Sequence, residues 1–316
     1  MLRLFLSRSN TNNINNTRRL VVSSILYPTS RSSSRSSYHS SSQQTVAHLR
    51  KNDEAREIFL VGTSHVSKAS ARETEELIRL VKPDVIAVEL CEERFEQLKE
   101  QMKSDKEEKT KKTKKKRSFL GDFLAIVKNV SSNRDLGALD RCLAIGLKAF
   151  YASLKSSGME PGEEFRVAIR EAERLNARLV LADRDVNKTL KALRESVSVA
   201  DVFGWFVYGE KKGGPTLPPE FEKMAAAGFN STEMQDNMEA MKNRNAVGQM
   251  KKYMQFQFPN IMSAMVHQRD DEMADAIKRE KDAEKIVMVV GLAHVDGIVE
   301  RLAGEYTEVM SVNDSE

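Results

Sequence analysis

Cysteine is nearly absent: the chain holds two, Cys91 and Cys142, in 316 residues. That excludes a disulfide framework or a cysteine-based zinc site, and both read as small buried hydrophobes under reducing conditions. No apolar run approaches the ~18 residues that a membrane-spanning helix needs, so no transmembrane segment is expected. The nearest stretch, 143–154, is short and carries Lys148. Acidic residues are missing from the first 52 positions, while Arg3, Arg8, Arg18, Arg19, Arg31, Arg35 and Arg50 recur there. Serine fills much of 30–42, and Leu2, Phe5, Leu20, Val21 and Ile25 supply apolar character. An Arg-rich, Ser-rich, acid-free segment has the composition of an organellar transit peptide. Residues 1–50 are therefore expected to be a disordered targeting tail, for a mitochondrion first and a plastid as the alternative. The fold is expected over 51–310.

What remains suffices for one sizeable α/β domain with appendages. The net charge of +4 is concentrated, not spread over a face. Its main source is the lysine-rich run 103–117, which has no aromatic residue among its cations on which bases would stack. No nucleic-acid partner is expected; the run reads as a solvated loop between helices, or as a protein-docking loop. A Gly- and Pro-rich break at 209–219 follows the apolar aromatic patch 202–208, which reads as core or as a second docking surface.

Four short, continuous apolar runs, 57–62, 84–90, 178–182 and 285–291, read as strands covered on both faces of a parallel sheet. Helical spacing follows at 70–81, 162–176, 187–196 and 296–303, with Asn187 as the expected cap. The stretch 220–280 has only helical spacing and is expected to be a helical insertion. The fold class is thus α/β, a mostly parallel sheet flanked by helices.

Ligands of such sheets bind beyond the carboxyl ends of the strands. At those ends this chain places His65, Glu89, Asp183 with Arg184, and His294. Both histidines stand three residues after a glycine, in Gly62-Thr-Ser-His65 and Gly291-Leu-Ala-His294. Each glycine is expected to let the chain leave the sheet through a positive φ or a close backbone approach. Glu89 ends an apolar run, where a carboxylate needs a partner. Two imidazoles and a carboxylate suit a divalent metal with open positions. A metal-free arrangement, with one histidine as general base oriented by Glu89, suits them equally. Spacing does not separate the two.

The blocks Val61-Gly-Thr-Ser-His-Val-Ser67, Pro83-Asp-Val-Ile-Ala-Val-Glu-Leu-Cys-Glu-Glu-Arg94, Pro161-Gly-Glu-Glu-Phe165, Leu181-Ala-Asp-Arg-Asp-Val186 and Val290-Gly-Leu-Ala-His-Val-Asp-Gly-Ile298 resemble, in that order, the TraB family. TraB domains are similar to Tiki-type membrane metalloproteases, and more distantly to erythromycin esterase and haem-binding ChaN-like proteins. The resemblance implies an α/β core in which His65, Glu89 and His294 are the metal or catalytic set. Glu164 and Asp183 match further motif positions as candidate general bases. Arg94 and Arg184 match further positions that line or buttress the same pocket, where they are expected to orient the carboxylates or stabilise an oxyanion. The implied activity is hydrolysis of a peptide or small carbonyl substrate with manganese, cobalt or zinc. Other members are associated with pheromone shutdown in bacteria or with mitochondria in eukaryotes. The other reading is a non-catalytic mitochondrial adaptor that binds partners through 103–117 or 202–208. Haem binding rests on the ChaN-like likeness alone.

Overall fold

A computed structural model of the chain describes residues 45–52, 55–64, 68–108, 162–196, 211–219, 221–222 and 244–309. The expected targeting segment up to residue 44, Cys142, the aromatic patch 202–208 and 109–117 of the basic run lie outside the described residues. Residues 103–108 of that run are not loop: they close the helix Glu92–Glu108.

The sheet is built from β1 (Val46–Lys51), β2 (Glu57–Thr63), β3 (Val85–Val88), β4 (Arg178–Leu181), β5 (Lys285–Gly291) and β6 (Tyr306–Glu308), in the order β4-β3-β5-β2-β1-β6. β4, β3, β5 and β2 run parallel. β1 pairs antiparallel with both β2 and β6. The mostly parallel sheet read from the apolar runs is thus present, with an antiparallel margin that those runs did not disclose.

Along the parallel strands, alternate side chains enter opposite layers. Ile58, Leu60, Val85, Ala87, Ile286 and Met288 form one layer, while Phe59, Val61, Ile86, Val88, Val287 and Val289 form the other. Helices α1 (Lys68–Val81) and α3 (Glu163–Leu175) cover the second layer with Leu77, Ile78, Phe165 and Ile169. Helix α2 is Glu92–Glu108. The first layer is covered by α7 (Gln268–Arg279) and α8 (Leu292–Leu302), through Met273, Ile277, Val295 and Ile298. Each such side chain stabilises the fold by roughly 1.5–3 kcal/mol when fully buried. Helix α4 (Val186–Ser196) follows β4, and α5 (Arg244–Gln257) and α6 (Pro259–Met262) lead into a π-helical turn, Ser263–His267. The cap of α4 is Asp185, whose Oδ1 accepts from the backbone of Asn187 at 2.8 Å and Lys188 at 3.1 Å. The expected cap, Asn187, lies one residue inside the helix.

The expected domain boundary at residue 50 falls inside β1, so it moves back to about residue 45. The strand escapes a search for apolar runs because His48, Arg50 and Lys51 interrupt it. His48 nevertheless replaces an apolar side chain, stacking on Phe59 with ring centroids 4.3 Å apart. Its Nε2 lies 3.3 Å from Glu57, and Arg50 donates to the same oxygen at 3.2 Å. His48 foremost, with help from Arg50 and against burial, holds the Glu57 carboxyl at about 2, below its ordinary 4.5. A depressed carboxylate stabilises the fold above its unfolded pKa, and that contribution fades as pH falls from about 4.5 through 2. After discount for partial solvent contact we expect about 1–2 kcal/mol. Urea unfolding of Glu57→Gln should show that deficit at pH 7 and none near pH 2. A deficit unchanged by pH would remove the carboxylate as its cause.

The glycine that ends β2 serves through close approach, not through a positive φ, which among described glycines occurs at Gly162 and Gly213. A Cβ at Gly62 would lie 2.4 Å from Leu292 Cδ1, 2.9 Å from Val295 Cγ2 and 3.0 Å from the Thr45 carbonyl oxygen. Leu292 can swing aside, but Val295 and the backbone cannot. Gly62→Ala is therefore expected to cost about 1–3 kcal/mol by chemical denaturation. A cost below about 0.5 kcal/mol would show that α8 slides over the strand end without penalty.

Candidate functional site

The parallel register brings β2 and β5 side by side, pairing Gly62 with Val290 and Thr63 with Gly291. The two Gly-x-x-His motifs therefore leave the sheet from neighbouring strands. Gly291 is extended, with φ −62° and ψ 140°, and α8 begins at the next residue. His294 thus sits inside the first helical turn and is 5% exposed; the helix does not wait for position 296. His65 lies outside the described residues.

Glu89 follows β3 directly and is 3% exposed. Its Oε2 accepts the Gly291 N–H at 2.5 Å, at the positive end of α8. Its Oε1 lies 3.5 Å from His294 Nε2 and also accepts from Arg269. Asp183 follows β4. Its Oδ1 accepts from Arg269 Nε and from the Arg184 backbone, each at 2.8 Å. Its Oδ2 accepts from Arg269 Nη2 at 2.9 Å and Arg94 Nη1 at 3.1 Å. Arg94 Nη1 also reaches the Glu89 carbonyl oxygen at 3.3 Å. The fork of Arg269 is the bidentate geometry that guanidinium and carboxylate share.

Arg269 stands at the centre of the cluster. Besides Glu89 and Asp183, its Nη1 approaches His294 Nε2 at 3.2 Å. Burial acts to lower its pKa, but the charges of Glu89 and Asp183 outweigh that, and the net shift is upward. Its neighbour Asp270 is fully buried and lies 2.6 Å, through Oδ1, from His294 Nδ1. Both residues come from the first turn of α7, directly after the π-helical turn, a feature that often marks functional positions.

Of the residues expected from sequence, Glu89, Asp183, Arg94 and His294 are brought together. Arg184 contributes its backbone N–H, while its guanidinium turns to Gln268 and to Glu272, the latter at 3.2 Å. Glu164 is 1% exposed in the first turn of α3. Arg269 and Asp270 were not expected. The signal that marks Asp270 is its spacing with Met273, Ala274 and Ile277, which puts a carboxylate on the apolar face of a helix. Such a group needs a partner.

Among the described residues no three His, Cys, Asp or Glu side chains form a metal-ligand group. No described helix is long and apolar enough to cross a membrane.

The profile of the TraB/PrgY/gumN family matches residues 46–304. An uncharacterised protein of Methanocaldococcus jannaschii is 29% identical over 251 residues, covering 78% of this chain and 53% of that protein. TraB domain-containing proteins of Homo sapiens and Mus musculus are each 27% identical over 288 residues, covering 85% of this chain and 69% of theirs. The chain therefore spans about half the length of the archaeal relative. The profile begins at β1 and ends just past α8, enclosing every strand-end residue described above; the chain belongs to the TraB/PrgY/gumN family.

Proposed function

We propose that this chain is a metal-dependent hydrolase of a peptide or similar carbonyl substrate, working at the strand-end cluster. The observation that carries the reading is the pair His294 Nε2 and Glu89 Oε1, 3.5 Å apart and both buried. Two ligands of one ion at ~2.1 Å and a tetrahedral angle lie about 3.4 Å apart, so this pair fits a shared manganese, cobalt or zinc ion. His65 is the third ligand in this reading. When bound, such an ion lowers the pKa of a coordinated water and polarises a carbonyl.

The chain's own residues supply the rest. Asp183, whose two oxygens are taken up by Arg94 and Arg269, orients those cations instead of accepting a proton from water. Glu164, the other motif carboxylate, is the candidate base in this reading, a role that the family resemblance alone suggests. Arg94, partly buried and paired with Asp183, is the cation that would steady a developing oxyanion in this reading. The test is cleavage of a peptide library by the full chain, with and without each ion, beside His294→Ala. Cleavage that needs an ion and His294 supports the reading; ion-independent cleavage moves His294 to the role of general base.

One observation favours a second reading, a non-catalytic adaptor that keeps the cluster as structure. Arg269 already spans Glu89 and His294, the two atoms an ion would take. In that case 103–117 and 202–208 carry partner binding, and deleting either abolishes it while site variants behave normally. For location we propose the mitochondrion, on the composition of residues 1–50. A fluorescent protein fused after that segment should enter mitochondria; plastid import would overturn the assignment.

A further inference from the structure

We infer that Asp270 is a positioning residue that fixes the tautomer of His294, and that Gly297 lacks a side chain to make room for it. The inference rests on the reading that His294 is the working imidazole. Its evidence is separate.

The two ring nitrogens of His294 meet partners of opposite kind. Nδ1 lies 2.6 Å from Asp270 Oδ1, and an ionised carboxylate only accepts hydrogen bonds. Nε2 lies 3.2 Å from Arg269 Nη1, and a guanidinium only donates. Each contact alone asks for a proton on Nδ1 and a lone pair on Nε2. Together they select one neutral tautomer out of two. Glu89 Oε1, an acceptor, also stands near Nε2, but at 3.5 Å it is farther than Arg269 Nη1 and is itself taken up by the Arg269 guanidinium. This is the nitrogen that a metal, or a proton from water, would take in place of the Arg269 N–H, so the device serves both forms of hydrolysis.

Gly297 explains how a carboxylate fits there. It lies in α8 one turn beyond His294, and a Cβ on it would fall 2.0 Å from Asp270 Oδ2 and 2.8 Å from Cγ. Both atoms belong to a short, fully buried side chain that has nowhere to swing. Oδ2 makes no hydrogen bond; Arg301 Nη1 stands 3.8 Å from it, and that group donates to the Gly297 carbonyl oxygen at 2.9 Å. An alanine at 297 must therefore displace the carboxylate from His294.

The test is nitrogen-15 NMR of the histidine rings in the full-length protein at neutral pH, with His294 assigned through His294→Gln. The expected result is a neutral ring protonated on Nδ1. In Gly297→Ala and Asp270→Ala the Nδ1 proton loses its acceptor while Arg269 stays, so the ring signals should shift from the single Nδ1-protonated form to a mixture of tautomers, with kcat for peptide cleavage down 10–100-fold. Asp270→Asn keeps the volume and serves if Asp270→Ala does not fold. A parent ring protonated on Nε2, or variants whose ring signals match the parent's, would overturn the inference. The expected ring signals without any cleavage would instead remove the hydrolase reading and leave the positioning role standing.

Discussion

Replacing Arg269 with methionine is expected to lower the unfolding free energy by about 3–5 kcal/mol, the usual cost of removing one partner from a buried ionic cluster. The substitution keeps an unbranched apolar stem and deletes the cation that pairs with both Glu89 and Asp183. Glu89 and Asp183 side chains are each only 4% exposed and Arg269 13%, so water does not replace the lost charge. Asp183 retains Arg94 at 3.1 Å, which keeps the loss toward the lower half of that range. Adding Glu89→Gln to Arg269→Met should recover part of the cost, because it removes a buried negative charge that Arg269 balanced. Urea denaturation of the parent and both variants measures this. A loss under about 1 kcal/mol, or no recovery in the double variant, would mean the cluster is not held by this charge balance.

The second large effect concerns turnover. His294→Ala is expected to lower kcat/KM for peptide cleavage by about 10²–10⁴-fold, the range for losing one group that handles a proton or a reacting oxygen. His267 provides the control. Its Nε2 contacts Gln255 at 2.8 Å, away from Glu89, and His267→Ala should leave kcat/KM within about twofold. Equal losses in both variants would show that the assay reads stability and not the site.

The layered core was legible because β2, β3 and β5 are buried on both faces, which writes them as unbroken apolar runs. β1 was not legible, since His48 enters the interior by stacking on Phe59 and Arg50 pairs with Glu57 at the margin, so the strand carries no unbroken apolar run. β6, three residues long, is too short to carry a pattern. In the site, Glu89, Asp183 and His294 announced themselves by standing at strand ends, a position fixed by local sequence. Arg269 did not. Its meaning depends on Glu89, 180 positions away, and the surrounding His267-Gln-Arg-Asp270 reads locally as a charged helical surface. Asp270 was within reach of the helical period, had the polar residue on the apolar face been followed. The two motif glycines show the same limit. Sequence called for either a turn or a close approach, and only the seating of Leu292 and Val295 on Gly62 decides for the approach.

The central claim, a divalent ion held by His294, Glu89 and His65, is tested most directly by elemental analysis of the full-length protein. The parent, purified and after incubation with manganese, cobalt or zinc, is compared with His294→Ala and His65→Ala. One equivalent of a single metal per chain in the parent, and none in either variant of unchanged circular dichroism, is the predicted result. A parent that retains no metal after incubation with each ion would contradict the account, with Arg269 then the permanent cation of the cluster.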